Sequence, residues 1–174
     1  MTRSLVRARG TGGAAKTNTA AGSVAICLGF FMILLDGSAL NVALPAIRSE
    51  TGGTISTLQW LISIYTIPLA ALLLSVGVLA DRLGARRVFL WALGGFTLAS
   101  LACAVSPTLP MLMVFRCLQG VFGAAILPTT LALITRLHPE PAERAKAITV
   151  WGATGGIALM VGRSRVENAG GPIR

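Results

Sequence analysis

The chain has 174 residues, of which 54% are hydrophobic and only 12% charged, against roughly 25% charged in ordinary soluble domains. Too few polar residues exist to cover a bundle of helices that are apolar on every side, which argues against a water-soluble domain. The net charge of +9 does not point to nucleic acid, because the basic residues sit in short clusters between apolar runs with little aromatic interleaving.

Residues 1–22 form a tail rich in Gly, Thr and Ala that holds Arg3, Arg7, Arg9 and Lys16 and no acid. It reads as disordered and cytoplasmic. A secretory signal also begins basic and turns apolar, but here Asp36 interrupts the apolar stretch and more spans follow. The first span is expected over residues 23–47, with Asp36 and Asn41 as its polar members and Pro45 near its end. A short polar turn, broken by Gly52 and Gly53, leads to a second span over 54–80 with Pro68 inside it.

Residues 81–87 then make a charged hinge between two long uncharged runs. Gly84 is the expected helix breaker, and Arg82, Arg86 and Arg87 mark which membrane face the hinge occupies. A third span follows over 88–105, an uncharged turn at 106–110, and a fourth span over 111–137 that carries Arg116 and Pro128. A polar connector runs from His138 to Lys146, with His138 read as an exposed interfacial residue. The fifth apolar run, 147–162, falls short of the ~20 residues needed to cross a bilayer as a helix. Residues 163–174 form a polar tail out of keeping with what precedes them.

The fold expected is therefore an all-α polytopic membrane protein, with four transmembrane helices and an incomplete fifth. Basic residues alternate along it. The tail, the hinge and the fourth connector (Arg136, Arg144, Lys146) are rich in them, whereas the first connector has Arg48 alone and the third has none. By the positive-inside rule this places the amino terminus in the cytoplasm of a multi-pass plasma (inner) membrane protein.

Two ionisable residues fall within spans, Asp36 and Arg116. Such charges are costly and usually face a bundle interior or a watery cavity. Counting ~1.5 Å per residue along oppositely directed helices puts both in the outer half of a ~30 Å core. Arg116 could instead snorkel to the outer interface. Asp36, with a short side chain in mid-helix, has no such exit. If both line a central pathway, Asp36 is a proton-titrating or cation-binding carboxylate and Arg116 tunes it. Small residues at Gly120, Gly123, Gly152 and Gly156 suit close helix packing. Cys27, Cys103 and Cys117 lie in apolar runs without CxxC spacing and read as small packers, so no metal site is expected. No enzyme motif and no phosphate-binding loop appears, so neither catalysis, a cofactor nor direct use of ATP is expected.

Three stretches carry a family resemblance. Leu35-Asp36-Gly37-Ser38-Ala39-Leu40-Asn41-Val42-Ala43-Leu44-Pro45 is similar to the first-span signature of the fourteen-span drug/proton antiporter branch of the major facilitator superfamily. Gly77-x-Leu79-Ala80-Asp81-Arg82-x-Gly84-x-Arg86-Arg87 resembles the superfamily's connector between spans two and three, with Ala85 where a basic residue is common. Arg116-Cys117-Leu118-Gln119-Gly120, followed by Gly123-Ala124, resembles its fourth-span motif.

The resemblance implies part of the amino-terminal bundle of a transporter that exports amphipathic or cationic small molecules in exchange for protons. It implies Asp36, Asn41, Arg116 and Gln119 on the proton and substrate pathway. It also implies an inner gate at Gly77, Asp81, Arg82, Gly84, Arg86 and Arg87, in which Asp81 pairs with a helix end or an arginine on closure. The arginines alone would serve equally as a topology anchor. Family members continue the fifth span with a Gly-Pro-x-x-Gly-Gly motif, whereas this chain reads Val161-Gly162-Arg163-Ser164-Arg165. A truncated or frame-disrupted portion, inactive alone, is the expectation. A small helical membrane protein that acts by associating with a partner is the alternative.

Overall fold

The computed structural model describes residues 19–38 and 55–169, which form five helices. These are α1 (Thr19–Ser38), α2 (Ile55–Leu83), α3 (Ala85–Ala104), α4 (Leu109–Leu137) and α5 (Pro141–Ala169). The first four are long and apolar enough to cross a membrane. α5 is not among them, and its uncharged run is bounded by Lys146 and Arg163.

α4 is the central post. Its buried positions are spread around the cylinder, from Arg116 and Gln119 through Ala124, Ala125 and Ile126 to Ile134. On α3, Ala85, Phe89, Ala92, Phe96 and Ala99 recur at helical spacing and turn one buried face inward. Phe89, Ala92 and Phe96 join Ile33, Ala125 and Ile126 in the core, where α1, α3 and α4 meet. Trp91, Leu98 and Leu101 on α3 and Leu74 and Val78 on α2 point outward. Apolar side chains on the outside are what helices solvated by lipid require.

α1 runs antiparallel to α4. A Cβ at Gly22 would lie 3.1 Å from Leu137, and one at Gly29 would lie 3.7 Å from Ile126. Further along, Asp36 reaches Arg116. This ladder brings the start of α1 to the end of α4 and sets one depth for Asp36 and Arg116.

The hinge is shorter than expected. α2 runs on through Asp81 and Arg82 to Leu83, and α3 starts at Ala85, so the seven-residue turn contracts to Gly84. Gly84 has φ 92°, a conformation that side chains with a Cβ disfavour. Its amide still closes the last turn of α2 on the Ala80 carbonyl at 3.0 Å, and its own carbonyl accepts from Arg87 and Val88. A helix satisfies its own backbone, so it has no need to stop where hydrocarbon ends. The third connector holds more closely to expectation, since Pro110 stands in the first turn of α4, where a missing N–H costs nothing.

Other boundaries differ too, among them the start of α1, which begins at Thr19 within the expected tail. The connector after α4 shrinks to 138–140, because Pro141 opens α5 directly. α5 extends through residues 163–169 of the polar tail, which contain no Gly or Pro to end it. Among the described residues, neither Gly152 nor Gly156 has a neighbour within 4 Å of an added Cβ. α5 leans on α1 through the adjacent stripe instead. Trp151 stacks on Phe30 with centroids 4.1 Å apart, and a Cβ at Gly155 would meet that ring at 2.7 Å. The bulk of Trp151 draws Phe30 in, and Gly155, one turn on, makes the room.

Candidate functional site

The polar residues of the bundle gather around the Asp36 carboxylate. Arg116 Nη1 donates to Asp36 Oδ2 at 2.8 Å, and Gln119 Nε2 donates to Oδ1 at 3.0 Å. Each carboxylate oxygen thus receives one donor. Arg116 and Gln119 are three residues apart on α4, so one helix face presents both toward α1. The Asp36 and Arg116 side chains are 12% and 10% exposed, and Gln119 is fully buried.

A third helix joins the cluster. The Cys103 thiol near the end of α3 donates to Gln119 Oε1 at 3.3 Å. That contact orients the amide, because with Oε1 toward the thiol the NH₂ must face the carboxylate. Cys103 is therefore a polar partner as well as a packer. Its identity gave no signal in the sequence, since a thiol in an apolar run looks the same either way.

α2 approaches α4 beside this cluster. A Cβ on Gly120 would fall against the Tyr65 carbonyl and 2.8 Å from the Pro68 ring. One on Gly123 would lie 3.3 Å from Leu69 and 3.6 Å from the Tyr65 hydroxyl. These two glycines do sit where helices close on one another. Tyr65 is the residue that sequence reasoning missed, and the one available signal was that it is the chain's sole tyrosine.

The structure separates the remaining candidates from this centre. Asn41 lies outside the described residues. A Cβ on Gly77 would come 3.9 Å from Pro128, so α2 is close to α4 there too. Asp81, Arg82, Arg86 and Arg87 are exposed around Gly84, and Asp81 makes no ion pair among the described residues. The arrangement expected of a closed gate is not formed within this segment.

The opposite end of α1 and α4 has its own polar contacts. A cavity of about 610 Å³ opens there between α1, α4 and α5, with Ser23, His138, Glu143 and Lys146 in its wall. His138 is not the exposed residue expected, for its side chain is 17% exposed and its Nε2 lies 3.0 Å from Ser23 Oγ. The Ser23 hydroxyl also lies 3.0 Å from the Thr19 carbonyl, and with its proton directed there the ring nitrogen is the donor. Arg144 caps the end of α4 by donating to the His138 and Pro139 carbonyls.

Comparison with known proteins bears on this arrangement. Residues 26–164 match the family model described as Major Facilitator Superfamily. Puromycin resistance protein pur8 of Streptomyces alboniger is 43% identical over 141 residues, covering 81% of this chain and 28% of that protein. The multidrug efflux pump LfrA of Mycolicibacterium smegmatis is 37% identical over 147 residues, covering 82% and 29%. The cephamycin export protein CmcT of Amycolatopsis lactamdurans is 37% identical over 155 residues, covering 88% and 31%. The chain thus spans less than a third of the length of these relatives.

Proposed function

The chain belongs to the Major Facilitator Superfamily, and from that premise we propose that it forms part of the amino-terminal bundle of a proton-coupled exporter of amphipathic or cationic small molecules. The observation that carries this reading is the Asp36–Arg116 ion pair, held at 2.8 Å and steadied by Gln119. Relatives named as a resistance protein, an efflux pump and an export protein support the direction of transport.

The chemistry follows from the cost of charge away from water. An ion pair sequestered between helices survives only while both partners stay charged and bonded. A proton arriving on Asp36 cancels its charge and releases Arg116. Loss of that proton restores the pair. Two discrete arrangements of α1 against α4 result, and a proton chooses between them. A cationic substrate competes for the same carboxylate, which couples its passage to proton movement.

In this reading the amino terminus is cytoplasmic, and Gly77, Asp81, Arg82, Gly84, Arg86 and Arg87 form the inner gate at the α2–α3 junction. Asp81 finds its partner there in the part of a transporter that lies beyond this segment. Asn41 belongs to the same pathway as Asp36. Gly152 and Gly156 offer a smooth face on α5 to a neighbouring helix.

The test uses a full-length transporter that carries this segment, reconstituted in liposomes, with ethidium as the cationic probe and an imposed proton gradient. Asp36→Asn and Arg116→Ala are each expected to abolish gradient-driven ethidium movement while the protein still inserts. Wild-type transport by Asp36→Asn would refute the reading.

A further inference from the structure

Tyr65 has an unexplained hydroxyl. Its oxygen is buried and has no hydrogen-bond partner among the described residues. Buried polar groups are ordinarily paired, so an orphan of this kind calls for a reason. α2 is pressed onto α4 here, with Gly120 under the Tyr65 carbonyl and Gly123 beside the hydroxyl. Gly123 lies one helical turn from Gln119, on the same face of α4. The hydroxyl is thus a turn away from the group that holds Asp36, and it lies within electrostatic reach of both Asp36 and Arg116.

The acceptors around Arg116 each hold a donor already. Asp36 Oδ2 takes Arg116 Nη1, Oδ1 takes Gln119, and Gln119 Oε1 takes the Cys103 thiol. Three buried side-chain atoms have no partner among the described residues: Tyr65 Oη, Arg116 Nε and Trp151 Nε1. The two nitrogens can only donate. The tyrosine oxygen can also accept, and it is the one spare acceptor of the three.

We propose that Tyr65 is a positioning residue for the Asp36–Arg116 switch, supplying the acceptor that Arg116 takes up when Asp36 is protonated. The inference rests on the proton-dependent reading of Asp36 given above. The proton goes to the Asp36 carboxylate, the tyrosine keeps its own, and only hydrogen bonds are exchanged. The charged groups that bear on the hydroxyl are Asp36 on α1 and Arg116 on α4, and the Cys103 thiol of α3 stands on the far side of Gln119, on its Oε1. In the paired state the hydroxyl waits unpaired. In the protonated state it receives the guanidinium, which has lost its charged acceptor and keeps only the weaker neutral carboxyl oxygen.

Tyr65→Phe keeps the ring and removes the oxygen, so packing against Gly123 survives. In the liposome assay with ethidium, its pH profile is expected to move about one unit toward acid, the equivalent of losing one hydrogen bond to a charged group. Its thermal stability at neutral pH should equal or exceed that of the wild type, because an unpaired buried group is gone. A wild-type pH profile for Tyr65→Phe, alongside an inactive Asp36→Asn, overturns the role of Tyr65 and leaves the proposed function standing. A fully active Asp36→Asn overturns both. Should Tyr65→Phe fail to insert, the 174-residue chain in liposomes supplies a second readout, since Tyr65 is its one tyrosine. Isotope-edited infrared difference spectra should show the tyrosine C–O band shift on acidification, and Asp36→Asn should remove that shift. An unmoved band on acidification overturns the proposal.

Discussion

Arg116 and Asp36 are 80 residues apart in sequence and 2.8 Å apart in space, the guanidinium of a descending helix closing on the carboxylate of an ascending one. Neither side chain reaches much water. Deleting one partner of a sequestered pair leaves the other charged and alone, at a cost of about 3–5 kcal/mol. Asp36→Asn and Arg116→Ala are each expected to destabilise the bundle by an amount of that order. The double variant should lose clearly less than the two single losses together. Reversible unfolding in bicelles measures all three, and strictly additive losses would contradict the pairing.

Gly120 and Gly156 supply a contrast within the same class of substitution. A methyl group at 120 has backbone and a proline ring against it, whereas at 156 it meets nothing among the described residues of this 174-residue chain. Gly120→Ala should force α2 off α4 and cost ~1–3 kcal/mol, as overpacking does. Gly156→Ala should cost nothing measurable and gain helix propensity. Equal melting temperatures for the two variants would show that the α2–α4 contact is looser than described.

The single-residue break between α2 and α3 depends on backbone freedom at Gly84, where φ is 92°. Gly84→Ala is expected to lower stability by ~1–2 kcal/mol through strain alone, as no neighbour among the described residues lies within 4 Å of an added Cβ. Gly84→Asn should be milder, because asparagine tolerates positive φ better. A melting temperature ordered alanine below asparagine below wild type is the expected series. An alanine variant as stable as wild type would argue against a left-handed residue at the break.

His138 is the chain's only histidine, which makes its ring directly observable. With the Ser23 proton directed to the Thr19 carbonyl, the neutral ring should carry its hydrogen on Nε2. Nitrogen-15 shifts in lipid at alkaline pH distinguish the two tautomers. Ser23→Ala should weaken the preference. A ring protonated at Nδ1 would mean that the Ser23 hydroxyl donates to Nε2 instead of to the Thr19 carbonyl.

What the sequence determined by itself was whatever depends on solvent. Long uncharged runs have one stable form in lipid, so the four spans were legible from composition and spacing. Gly84 could be named as the breaker because no other residue type takes its backbone angle easily. Asp36 and Arg116 stood out for a related reason, since a charge inside hydrocarbon must find a partner. The length of each helix was less legible, because a helix carries its own hydrogen bonds past the last apolar residue, as α2 does at Asp81 and Arg82.

Only the tertiary structure decided which groups complete the pair and which glycines are crowded. Gln119 orients the carboxylate, Cys103 orients Gln119, and Tyr65 is brought beside them on a fourth element. Gly155, and neither Gly152 nor Gly156, makes the contact on α5. These relations follow from the rotation and register of each helix about its axis. An almost uniformly apolar helix has no polar face to announce that rotation, so it is settled by how the side chains interlock.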